Sequence, residues 1–98
     1  MKKVDITEKL DFDSKQCIVI KGKEIYVNGD APTILRVMGI MSGEDSGSAQ
    51  SVLKMYELLF TEKGREELDK LKLSFKDLVT VIQEAAALVI GENENTEQ

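Results

Sequence analysis

The chain has 98 residues, with 13 Lys+Arg against 18 Asp+Glu, a formal net charge of -5, no His, no Trp, one Pro and one Cys. That length suits one domain rather than two, and 42% hydrophobic with 32% charged residues can build a core without disulfide or metal staples. The lack of His removes the commonest general base and metal ligand and forbids a Ser-His-Asp or Cys-His pair, and the acidic balance disfavours a general nucleic-acid binder.

In chain order, the first segment is polar. Val4 and Ile6 alternate with Lys3, Asp5 and Thr7 in a weak strand pattern, and Asp11-Phe12-Asp13-Ser14 reads as a turn. The N-terminus has no apolar signal-peptide region, and no run approaches the ~18 apolar residues a membrane helix needs. A lone Cys17 makes no intrachain disulfide. The expectation is a protein of the cytoplasm with no membrane or nucleic-acid contact.

Cys17-Ile18-Val19-Ile20 and Glu24-Ile25-Tyr26-Val27 flank Lys21-Gly22-Lys23, which predicts a β-hairpin over 17–27. Asn28-Gly29 is expected to end the second strand through positive φ angles. Asp30 is a good N-cap, and Pro32 falls in the first turn of a helix predicted over 31–41. The Gly/Ser loop from Ser42 to Ser48 supplies Ser46 or Ser48 to cap a second helix over 49–60. Thr61 caps a charged third helix over 62–71, and Ser74 with Asp77 resembles a capping box for a fourth over 75–90. Gly91 is the expected stop. Residues 92–98 contain Glu92, Glu94 and Glu97 with no cation and no apolar side chain, so they are expected to be a disordered acidic tail beyond a single domain of residues 1–91.

The helices carry unusually wide apolar faces. At ~100° per residue, Ile34 to Met41 and Val52 to Phe60 each cover an arc of about 220°, and Phe75 to Ile90 covers about 200°, where a one-sided core needs little more than ~100°. The first two helices repeat one pattern, Ile34-Leu35-Arg36-Val37-Met38 against Val52-Leu53-Lys54-Met55-Tyr56. Two readings follow. Each helix packs against two neighbours in a bundle, or apolar surface is left over for another protein or for a second copy of the chain. Met38, Met41, Met55, Tyr56 and Leu59 are the candidate partner-binding residues, Met being suited to an adaptable surface.

Other candidate chemistry is weak. Cys17 heads an apolar run and reads as a buried structural thiol. The 43–48 loop lacks Walker spacing and has no following Lys, so it reads as a linker or capping loop. Asp11 and Asp13 lack the Gly and Glu of a calcium loop. The charges of 62–72 read as a solvated face with i,i+4 pairs such as Glu66–Lys70, and Lys21 and Lys23 as turn solubility. No catalytic, cofactor or metal residue is assigned, and no enzyme activity is expected.

The order of elements carries a resemblance. A Lys-Gly-Lys hairpin is followed by a helix from Asp30 bearing Ile34-Leu35-Arg36-Val37-Met38, then by Leu71-Lys72-Leu73-Ser74-Phe75-Lys76-Asp77-Leu78, a last helix and a polar tail. Over residues 15–91 this resembles the tail assembly chaperones of tailed phages and prophages of Gram-positive bacteria. The likeness lies in organisation and loose motifs, and residues 1–14 add nothing to it. It implies a role in virion morphogenesis in the host cytoplasm, binding the long helical tape measure protein and helping tail-tube subunits assemble around it. Longer, frameshifted forms are common in that class, and an extension of that kind would join near Glu92. The expected fold class is α+β, an N-terminal β-hairpin packed on a mainly helical bundle of three to four helices. The alternative reading is a small bacterial regulatory or oligomerisation module that binds a protein partner through its surplus apolar faces.

Overall fold

The computed structural model describes residues 2–10 and 15–94. The fold is α+β: strands β1 (Gln16–Ile20) and β2 (Lys23–Val27) form an antiparallel hairpin, followed by α1 (Ala31–Met41), α2 (Ala49–Leu59), α3 (Glu62–Leu71) and α4 (Phe75–Glu94). Val4 and Ile6 do not form a strand. They precede a single 3-10 turn, Thr7–Lys9, held by Asp5, whose carboxylate accepts from the Thr7 amide at 3.0 Å and from the Thr7 hydroxyl. The turn expected at Asp11–Ser14 lies outside the described residues.

The hairpin closes on Lys21 and Gly22, whose φ angles of 52° and 79° give the doubly positive turn that matches strand twist. Ile20 pairs with Lys23 across it. Asn28 and Gly29 do not take positive φ. β2 is ended by hydrogen bonds instead: the Asn28 amide donates to the Leu59 carbonyl at 2.7 Å and its side-chain amide donates to the Leu58 carbonyl at 2.9 Å. Val27 and Phe60 form a one-residue antiparallel bridge. Phe60 is therefore extended rather than helical, and α2 stops one residue before the expected end.

All four helices begin at the capping residues expected of them. Asp30, Ser48, Thr61 and Ser74 each accept from the amide three residues on, at 3.1, 3.1, 3.0 and 3.2 Å. The fourth helix runs past Gly91 to Glu94, so residues 92–94 of the expected tail are helical and residues 95–98 lie outside the described residues. Gly91 does not take the positive φ of a helix-terminating glycine, and its conformational cost of about 1 kcal/mol does not by itself end a helix.

The core draws on β2 and all four helices, with Ile18 and Ile20 of β1 half-buried against it. Ile25 and Val27 of β2, Ile34 and Val37 of α1, and Met55, Leu59 and Phe60 at the end of α2 join Leu68 of α3 and Ile82, Ala85, Ala86 and Val89 of α4. The small side chains of Ala85 and Ala86 let α4 lie close to its neighbours, and it packs on α1, α2 and β1. The third helix packs on β2. There Lys23 pairs with Glu67 at 3.2 Å, and Glu67 also takes Lys70 at 3.8 Å. This replaces the expected Glu66–Lys70 pair, because Glu67 is the acid turned toward the hairpin, and it gives Lys23 more than a solubilising role. Cys17 is free and half-buried rather than buried.

Candidate functional site

An apolar groove opens between α1, α2 and α4, with a volume of about 500 Å³. One wall is the outer side of α4, where Phe75, Val79, Gln83, Ala87 and Ile90 recur every three or four residues. Ile82 and Ala86 lie between this stripe and the core. The wide apolar arc of α4 thus serves two surfaces. The opposite wall comes from Met41 at the end of α1 and from Val52 and Met55 of α2.

The α1–α2 loop contributes Ser46 and Gly47 to the groove, and it is shaped by local hydrogen bonds. Ser51, buried in α2, donates its hydroxyl to the carbonyls of Ser46 at 2.7 Å and Ser48 at 2.9 Å, and the Ser48 amide donates to the Asp45 carbonyl at 2.9 Å. The capping reading of this loop therefore fits better than that of a free linker.

The five candidate residues separate. Met41 is 47% exposed and lines the groove, and Met55, only 7% exposed, forms its floor. Met38 is exposed one turn before Met41 but does not line the groove. Leu59 is fully buried among core side chains, so it offers no surface to a partner. Tyr56 is half-buried and occupied: its hydroxyl donates to the Asp69 carboxylate at 2.7 Å and to the Arg65 carbonyl at 3.1 Å, and its ring tilts against Phe60 with centroids 5.8 Å apart. Burial, reinforced by Asp69, pushes the Tyr56 hydroxyl up to about 12. These contacts make Tyr56 a strut between α2 and α3. The repeated pattern of α1 and α2 is matched in burial, with Val37 and Met55 buried and Leu35 and Leu53 exposed.

The α4 contributors Phe75, Val79 and Ala87 were not singled out from the sequence. The available signal was the arc of α4, twice as wide as one packing face requires. Phe75 is the plainest case, 62% exposed at the start of that helix.

No residue lining the groove carries an ionisable side chain. The perturbed groups lie elsewhere. The Thr33 hydroxyl holds the Asp30 carboxyl below its usual range, and the Lys23 ammonium does the same for Glu67. Among the described residues no group of three or more His, Cys, Asp or Glu is placed to hold a metal ion, and no buried side-chain nitrogen or oxygen lacks a hydrogen-bond partner. Among the same residues no helix is long and apolar enough to cross a membrane.

The chain matches no protein-family model, no curated protein and no solved structure.

The groove is suited to apolar side chains presented in a row. Its polar contributions, Ser46 and Gln83, do not form the convergent cluster that fixes a small molecule. An amphipathic helix laid along α4, with anchors three and four residues apart, meets the spacing of the wall.

Proposed function

We propose that the protein is a non-enzymatic assembly chaperone that holds a helical segment of a partner protein in the α1–α2–α4 groove. The supporting observation is the apolar wall from Phe75 to Ile90 facing Met41, open to solvent and free of ionisable side chains. The order of elements from the hairpin to α4 supports a more specific reading, a tail assembly chaperone of a tailed phage or prophage. Its client is then the tape measure protein, with tail-tube subunits as a further contact, in the host cytoplasm. A long helical client exposes repeated apolar stripes before the tube closes around it, and a groove that covers one stripe at a time lowers its self-association.

Capture of a tape measure fragment by the immobilised chain tests this reading. Binding is expected with the native chain and is lost in Ala87→Glu, which places a charge on an exposed position of the groove wall. Circular dichroism of the variant stays native. Failure of the native chain to bind the fragment at micromolar concentration removes the phage reading.

The second reading is a small bacterial regulatory or oligomerisation module. It draws on Leu35 and Leu53, which are 68% and 54% exposed and do not line the groove. Light scattering on the purified chain decides it: a monomer at all concentrations counts against self-association.

A further inference from the structure

Charge is unevenly divided over the chain. Residues 31–60 and 75–94, which build α1, α2, α4 and the α1–α2 loop, hold seven acids and three bases, whereas residues 2–30 and 61–74 hold ten of each. Glu92 and Glu94 make up half of that surplus and follow Ile90, the last lining residue; up to Ile90 the groove-forming segments hold five acids and three bases, a net of -2. Within them, Glu44 and Asp45 directly precede the lining residues Ser46 and Gly47, in the loop that Ser51 fastens. Both are exposed, and neither joins an ion pair among the described residues. The single cation of α4 is Lys76, next to Phe75.

We infer that the occupant of the groove is an amphipathic helix with a basic flank, its apolar stripe against α4 and its Lys or Arg side chains beside Glu44 and Asp45. This rests on the reading of the groove as a helix-binding site and adds the chemistry of the partner. Unpaired acids beside an uncharged apolar trough attract a cationic flank and repel an acidic one. The same charge disfavours a second copy of this chain as the occupant, because its groove-forming segments are acidic too.

Two synthetic helical peptides test the inference. They share one Leu/Met stripe and differ only in flanks of Lys or of Glu. Binding to the full chain is read by fluorescence anisotropy. The Lys-flanked peptide is expected to bind about three- to tenfold more tightly at low salt, the scale of a few exposed ion pairs. The gap should close at about 500 mM salt, where screening acts over a few ångströms. The double variant Glu44→Gln/Asp45→Asn is expected to lose the preference while still binding both peptides. Equal affinity, a preference for the Glu flank, or a preference untouched by the double variant overturns the basic-flank assignment and leaves the groove standing. If neither peptide binds, or binding is indifferent to Ala87→Glu, the groove reading itself fails and this inference with it.

Discussion

The backbone of Gly64 lies so close to the carbonyl of Tyr26 that a Cβ at residue 64 would stand 2.8 Å from that oxygen. The same carbonyl accepts from the Thr61 amide at 3.3 Å, so α3 starts in direct contact with the end of β2. Gly64→Ala gains helix propensity of about 1 kcal/mol but forces backbone apart, which typically costs about 1–3 kcal/mol. The expected outcome is a net loss of stability in urea unfolding. An unchanged or raised midpoint would show that α3 can retreat from the hairpin without penalty.

The Tyr56 hydroxyl is the only polar bridge among the described residues from the side chain of α2 to the side chain of Asp69 on α3. Tyr56→Phe should destabilise the domain by about 1 kcal/mol, the typical net value of a hydrogen bond, with native circular dichroism. A pH dependence follows from the raised hydroxyl at about 12, against about 10 for an unfolded tyrosine. The folded state holds this proton more tightly, so its contribution is fully present below pH ~10 and is lost as pH rises toward ~12. Alkaline unfolding followed by circular dichroism should begin in that window, and the dependence should be shallower in Tyr56→Phe.

Arg65 reaches back from α3 to the end of α2, donating from one guanidinium nitrogen to the carbonyls of Glu57 at 3.0 Å and Phe60 at 2.7 Å. These are carbonyls that the end of α2 leaves without an intrahelical partner. Arg65→Ala is expected to cost about 1–2 kcal/mol in thermal or urea unfolding, since charged donors make the stronger hydrogen bonds. Arg65→Lys should recover only part of this, because the shorter Lys side chain carries its nitrogen less far than the guanidinium nitrogen that makes both bonds.

Met41 and Leu59 give opposite outcomes on the same substitution. Met41→Asp alters an exposed groove residue, so the fold should persist while affinity for a helical partner falls at least about tenfold, the scale of losing one buried anchor. Leu59→Asp puts a carboxylate among fully buried side chains and should abolish the native circular dichroism. Should Met41→Asp bind as well as the native chain, the Met41 end of the groove takes no part in recognition.

Much of the structure that depends on neighbours in sequence was legible, although Asn28-Gly29 and Gly91 do not take the positive φ that their residue types suggest. Asp30, Ser48, Thr61 and Ser74 each cap an amide three residues on, and Lys21-Gly22 sits where a short hairpin turn demands it. Features that join distant residues were not. The Val27–Phe60 bridge and the Asn28 bonds to Leu58 and Leu59 depend on how α2 arrives beside the hairpin, which no local pattern records. Arg65 reads as one charge among many on α3 until the end of α2 is placed next to it. For the candidate site, arc width announced surplus apolar surface but could not divide it between core and groove. Met55 and Leu59 share one face of α2, yet one floors the groove and the other is sealed beneath it.

The bridge between Val27 and Phe60 also bears on the order in which the chain acquires its shape during synthesis. The hairpin leaves the ribosome before the four helices, but two strands alone are marginal in water. Phe60 and Leu68, which share its core, are made later, and so is Gly64, which fits against Tyr26. The cover over Ile25 and Val27 is therefore incomplete until α3 has emerged. Ribosome-bound chains halted before residue 60 should leave this hairpin open to protease, and chains long enough to free α3 should protect it.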